Sequence, residues 1–276
     1  MIELRLLWPI AQRELREALR NKWLVFYALG FAALAVALSS ASFATSGYAG
    51  LGGFGRTAAS LINALLLFVP LLGLSVGAAA LAGDRERGTM LYLLSQPVNR
   101  AEVFFGKALG AALATTAAIA VGFGLAGLAL GLGGDGDVWA FLELAGYSGL
   151  LALVSLGLGF LISAFSRKTA TALGAALIVW LVLVFFSDLG VVGVTLSLRP
   201  TPASLLGMLV INPLQVFKLG AIYSLRATLD TLGPVGQYAV FRFGDSLPLL
   251  LAGLLAGWMV AAFGFSFALF ARRGEA

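Results

Sequence analysis

The chain has 276 residues, 60% hydrophobic and 11% charged, with a formal net charge of +5 and a mean hydropathy of +0.98. Soluble domains are nearer half apolar and a quarter charged, so this composition excludes a soluble fold and implies an integral membrane protein. Cys and His are both absent, which excludes a disulfide scaffold and any site built on thiol or imidazole groups.

Residues 1–22 come first. Leu4, Leu7, Trp8, Ala11, Leu15 and Ala18 recur at helical spacing, with Arg13, Arg16, Glu17 and Arg20 on the other side. This predicts an amphipathic helix lying in the cytoplasmic interface as an elbow before the first span. Pro9 requires the regular helix to start close to it. The apolar run begins only at Trp23, after a charged stretch, and lacks an obvious small-residue cleavage site, so it is expected to be a span and not a cleavable signal.

About 20 apolar residues cross a bilayer as a helix. Trp23 to Ala44 is one span, and Thr57 to Gly83 a second, interrupted by Asn63 and Pro70. A third lies within Val103 to Gly134, with Lys107 near its start. The fourth runs from Glu143 to Phe165, the fifth from Thr169 to Val194, the sixth from Ser246 to Ala271. The runs do not alternate in polarity, so they are helices and not barrel strands. The expected fold is an all-α membrane protein of six spans, with a long outer loop at 196–245 before the last span. With the N-terminus inside, thirteen of the 18 Lys and Arg residues fall on the inner side. Arg56, Arg199, Lys218, Arg226 and Arg242 fall outside, so both termini and the 272–276 tail are expected in the cytoplasm of a bacterial inner membrane. Ala203 to Leu225 is apolar enough for a seventh span, but Asn212-Pro213 and Lys218 favour two short re-entrant or interfacial helices broken at Pro213.

The loop at 84–100 carries the most information. Asp84-Arg85-Glu86-Arg87 places four charges in a row, followed by Gly88-Thr89, a short apolar run through Met90, Leu93 and Leu94, and a stop at Pro97. Asn99 and Glu102 have capping-box spacing at the start of the third span. This pattern, Glu86-x-Gly88-Thr89 with Leu93-Leu94, Pro97, Arg100 and Gly106-Lys107, resembles permease subunits of the ABC type-two exporter family. The resemblance covers essentially the whole chain. It implies that Glu86, Gly88, Thr89, Met90, Leu93, Leu94, Pro97 and Arg100 form the coupling helix gripped by a separate P-loop ATPase, and that two copies of the chain assemble. Arg13-Glu14-Leu15 with Leu19-Arg20-Asn21-Lys22-Trp23-Leu24, and Asn212-Pro213 with Val216-Phe217-Lys218-Leu219, are similar to permeases of nitrous-oxide reductase maturation transporters. That narrower likeness implies a role in copper-site assembly with a periplasmic partner, which Asn212, Pro213, Phe217 and Lys218 would contact.

The chain has no phosphate-binding loop of its own: Gly106-Lys107 is followed by Ala108, and position 101 is Ala101. The ATP and Mg are therefore expected in the partner, with no cofactor or metal in this chain, no ATPase activity and no nucleic acid. Gly50-x-Gly52-x-x-Gly55 and Gly122-x-Gly124-x-x-Gly127 match the dinucleotide pattern but lie in an outer loop and a span, outside any strand–helix context. Gly73-x-x-x-Gly77, Gly106-x-x-x-Gly110, Gly127-x-x-x-Gly131 and Gly253-x-x-x-Gly257 offer small surfaces for helix approach. Intramembrane polar groups are few. Asn63 and Asp188 are the candidates for a pathway or gate, and their scarcity argues against ion coupling. The outer loop lacks Cys and His and holds one Met, Met208, so copper is not expected on this chain. The alternatives are a general type-two exporter for a lipid, drug or other small molecule, and a scaffold that relays ATPase motion to an outer protein.

Overall fold

The computed structural model describes residues 4–20, 26, 29–30, 33, 52–95, 98–131, 138–186, 201–224 and 233–272. The expected span Trp23 to Ala44 lies largely outside the described residues, as do Pro97 and Asp188. Among the described residues every regular element is helical. They are α1 (Leu4–Leu19), α2 (Gly52–Glu86), α3 (Thr89–Leu94), α4 (Arg100–Gly131), α5 (Val138–Phe165) and α6 (Thr169–Leu181), which passes into a π turn at Val182–Phe186. Then come α7 (Pro202–Val210), α8 (Pro213–Ser224), α9 (Gly233–Phe243), a 3-10 turn at Gly244–Ser246 and α10 (Leu247–Arg272).

Four of these stretches are long and apolar enough to cross a membrane: Ser60–Glu86, Arg100–Leu125, Val138–Phe165 and Val235–Arg272. They overlap the expected second, third, fourth and sixth spans: the second is shifted by three residues, the third and fourth begin three and five residues earlier, and the sixth begins at Val235 instead of Ser246. The expected fifth is a shorter apolar helix, Thr169–Phe185. α7 and α8 bend by 115° at Ile211-Asn212, so the stretch is a broken pair and not a straight helix. Pro213 opens α8, which explains the break. α1 contains Pro9 well inside the helix, further from its start than the sequence suggested. Gly52 and Gly55 belong to the first turns of α2 and not to a loop, and Gly122 to Gly127 lie within α4.

α2 and α5 form the centre of the bundle. They cross where small residues allow the backbones to touch: a Cβ at Gly73 would lie 2.5 Å from Ala152 O, and one at Gly159 2.5 Å from Leu74 O. Gly77 faces Leu156 O and Gly159 in the same crossing. Ser163 completes it, accepting from Leu81 N and Ala82 N at 3.0 and 2.8 Å and donating to Ala78 O at 2.7 Å. α1 packs on α4 in the same way, with Gly106 and Gly110 against Ile10 and Ala11. Of the other two small-residue pairs, Gly127 meets Phe141, whereas Gly253 and Gly257 face open space.

The two ends of the bundle differ. One gathers α1, α3, the last turns of α2, α5 and α10 and the first turns of α4 and α6, and is rich in charge. The other holds α7, α8, α9 and the start of α10. α10 alone separates them by about 39 Å at 1.5 Å per residue, enough to span a bilayer. Exposed Arg87 and Gln237 mark the two ends. Cysteines placed singly at these positions are expected to label from opposite faces of sealed vesicles. Labelling from the same face is the contrary result.

Candidate functional site: the charged turn and its short helix

The site starts from a helix end. α2 stops because Gly88 adopts φ 72°, the left-handed geometry that closes a helix, with Arg87 N and Gly88 N both bonded back at 3.1 Å, to Gly83 O and Arg85 O. That stop fixes where the four preceding charges point, and each reaches a different part of the bundle.

Asp84 is 1% exposed, and its Oδ2 lies 2.7 Å from Nζ of Lys107 on α4. Its Oδ1 accepts from Arg87 and from the Thr89 hydroxyl, both at 2.9 Å. Lys107 is 3% exposed and also pairs closely with Glu14 of α1. Burial pushes the Glu14 carboxyl up, and the Lys107 ammonium opposes that rise. Arg85 donates to Ser163 O at 2.8 Å and Ser166 O at 3.1 Å, covering carbonyls at the end of α5, and its guanidinium sits 6.0 Å from the Phe270 ring of α10. Glu86 accepts from Thr169 N at 2.9 Å and so supplies the N-terminal cap that Lys168 does not. Arg87 reaches back to Glu17 of α1 at 3.6 Å. The charged turn is therefore a hub joining α1, α4, α5, α6 and α10.

α3 is docked beside the hub. Met90 is 1% exposed and belongs to a core cluster with Phe104, Phe160 and Phe270; Leu93 packs on its edge, half-buried. Phe104 sits centrally, its ring 5.6 Å from Phe160 and 5.7 Å from Phe270. A coupling helix read from its apolar run alone would turn Met90 and Leu93 toward the ATPase, and the structure turns Met90 inward instead. The apolar side of a six-residue helix has a core at hand, and Met90 takes it. Among the described side chains, Tyr92 on the helix, 66% exposed, and Ser95 just after it face outward. Leu94 lies in α3 and Pro97 outside the described residues. Asn99 N donates to Glu102 Oε2 at 2.8 Å, as the capping-box spacing anticipated. Arg100 donates to Ala271 O at 3.2 Å, binding the start of α4 to the end of α10.

The remaining candidates lie elsewhere. Asn63 is exposed on α2. At the other end, Asn212 donates from Nδ2 to Leu183 O at 2.8 Å and accepts at Oδ1 from Leu214 N at 2.9 Å. It thus serves a carbonyl of the π turn and the first turn of α8 together. Pro213 and Phe217 are buried in the core and Lys218 is half-buried, so the surface here comes from other residues. Ile211 at the bend is 70% exposed and Phe241 on α9 is 91% exposed. The sequence reading did not single out Glu14, Asp84 or Tyr92. The detectable signal for the first two was a lysine near the start of a span, which needs carboxylates if it is to be buried.

An all-helical multi-pass bundle with a charged turn and short helix at one end has the build of a transporter permease. The chain matches the family described as ABC-2 family transporter protein over residues 8–274, and it belongs to that family. It is 31% identical over 276 residues to the "probable ABC transporter permease protein NosY" of Stutzerimonas stutzeri, with 96% of this chain and 98% of the relative covered. It is 32% identical, with the same coverage, to the protein of that name from Pseudomonas aeruginosa. The resemblance to type-two permeases read from the charged loop thus holds along the whole chain.

Proposed function

We propose that this chain is the membrane-spanning half of a dimeric ATP-binding-cassette exporter-type complex, moved by separate P-loop ATPases that bind ATP and Mg. The observation that carries this reading is the hub: four consecutive charged residues tied to five helices, next to a docked short helix whose Tyr92 points outward. Pressure on α3 is felt through the whole charged end. In this reading 84–100 is the coupling loop, α1 is the elbow helix of domain 1–22, and residues 23–271 form six spans with both termini in the cytoplasm of the bacterial inner membrane. α7 and α8 make a re-entrant hairpin within the 196–245 outer loop, braced by Asn212 and by Trp258 Nε1 donating to Val210 O at 3.1 Å.

The likeness to permeases named NosY supports a place in nitrous-oxide reductase maturation over a general exporter role. A periplasmic partner at the outer end then receives the motion, and exposed Ile211 and Phe241 are better placed to meet it than buried Phe217.

The test is hydrolysis. Purified chain is expected to show no ATP turnover above a detergent blank, because it lacks the phosphate-binding lysine motif. A tagged chain that brings down an ATPase should show turnover that depends on both subunits. Robust hydrolysis by a verified single-subunit sample contradicts the reading.

A further inference from the structure

The ion triad of Glu14, Lys107 and Asp84 has no evident purpose as glue. An apolar set of similar volume holds helices together at least as well, because three buried charges must first lose their water. What an ion set adds is a single permitted register. Its three members come from α1, α4 and the end of α2, and all are largely withdrawn from solvent. The other hub charges do different work. Arg85 reaches carbonyls of α5 and Glu86 the first turn of α6. Arg87 also meets α1, at Glu17, but at 3.6 Å and between side chains 59% and 42% exposed, so the buried link from the turn to α1 runs from Asp84 through Lys107 to Glu14. α1 and α4 are already one unit, because Gly106 and Gly110 let Ile10 and Ala11 sit against the α4 backbone.

We propose that Lys107 is a positioning residue of the coupling apparatus. It clamps the α1–α4 unit to the turn after α2, so that displacement of α3 carries the N-terminal helix with it. The clamp rests on the reading that an ATPase moves α3, and it adds a second route for that motion. α1 leads directly along the chain into residues 23–44, so the clamp delivers the stroke to the first expected span as well as to α2 and α4.

The chain has no cysteine, so a single reporter is the one maleimide target on it, and labelling is read on the band of this chain after the ATPase is separated from it. Gln12 on α1 and Ser95, in the turn directly after α3, are both exposed. Cysteines are placed there one at a time in the tagged chain carrying its co-purified ATPase. Maleimide reactivity is then compared with and without ATP plus vanadate. In the otherwise native chain both sites are expected to change reactivity. In Lys107→Met/Glu14→Gln, Asp84 keeps Arg87 and Thr89, so no unpaired charge stays buried. Ser95 should still respond in that background and Gln12 should not. Where the double variant fails to assemble, Glu14→Gln alone, which leaves Lys107 paired with Asp84, should weaken the Gln12 response. Lys107→Arg keeps the charge and should keep both responses. A Gln12 response that survives unchanged in the double variant, or in Glu14→Gln where that variant replaces it, overturns the clamp. So does a Gln12 site that stays silent in the native background while Ser95 responds; the ATPase reading then stands without it. If neither site responds in the native background, the ATPase reading itself fails and the clamp falls with it.

Discussion

Lys107→Met is expected to abolish recovery of monodisperse protein from the membrane. The substitution leaves Glu14 and Asp84 facing one another across the space the ammonium filled, with 13% and 1% exposure. Removing one partner of a buried ion set costs about 3–5 kcal/mol, because the remaining charge is left without compensation. Arg87 still pairs with Asp84, so the loss falls mainly on Glu14. Adding Glu14→Gln removes that charge, and the double variant should recover most of the lost yield. The measurement is size-exclusion profile and thermal midpoint of the two variants at equal expression. A single variant as stable as the native chain shows that the triad is wet or mispaired.

Gly77→Leu is expected to be equally severe for a different reason. Gly77 sits at the α2–α5 crossing, where a Cβ would run into backbone atoms of Leu156 and Gly159. Backbone cannot rotate away as a side chain can, so the helices must separate, and overpacking then costs about 3 kcal/mol or more. Separation also pulls Ser163 from Ala78, the next residue of α2, and from Leu81 and Ala82 about one turn further along. Gly257→Leu is the matched control, since nothing lies near its Cβ position in the chain. Gly77→Leu should fail to yield folded protein under conditions where Gly257→Leu inserts and survives detergent. Equal yields contradict the crossing.

These two results bear on what the sequence could disclose. Periodic apolar length was enough to place α2, α4, α5 and α10, because a span is set by bilayer thickness and needs no knowledge of neighbours. The break at Pro213 was legible because proline removes a donor locally. Gly73 and Gly77 were visible as a pair but so were Gly253 and Gly257, and only packing tells a crossing from an open face. The charged loop was recognised by its pattern, yet the partners of Asp84, Arg85 and Glu86 lie 23, 78 and 83 residues away along the chain. Met90 and Tyr92 show the same limit. A six-residue apolar helix reads as a docking surface from end to end, and only its contact with Phe104 and its neighbours shows which side is already occupied.

That distinction shapes the decisive test. Leu93→Asp strikes a half-buried position on the core cluster, so it would weaken the fold and any ATPase contact together. Tyr92 is exposed, so the fold does not depend on it. Tyrosine is also a residue type on which interfaces concentrate their binding energy, and losing such an anchor costs about 2 kcal/mol or more. The measurement is the amount of P-loop ATPase recovered with tagged native chain and with Tyr92→Asp, at equal membrane expression and matched thermal midpoint. The account predicts a stable, inserted variant that loses most of its ATPase, together with the hydrolysis that depends on it. Full recovery of an ATPase whose turnover still depends on the variant chain would show that α3 is not where the motion enters.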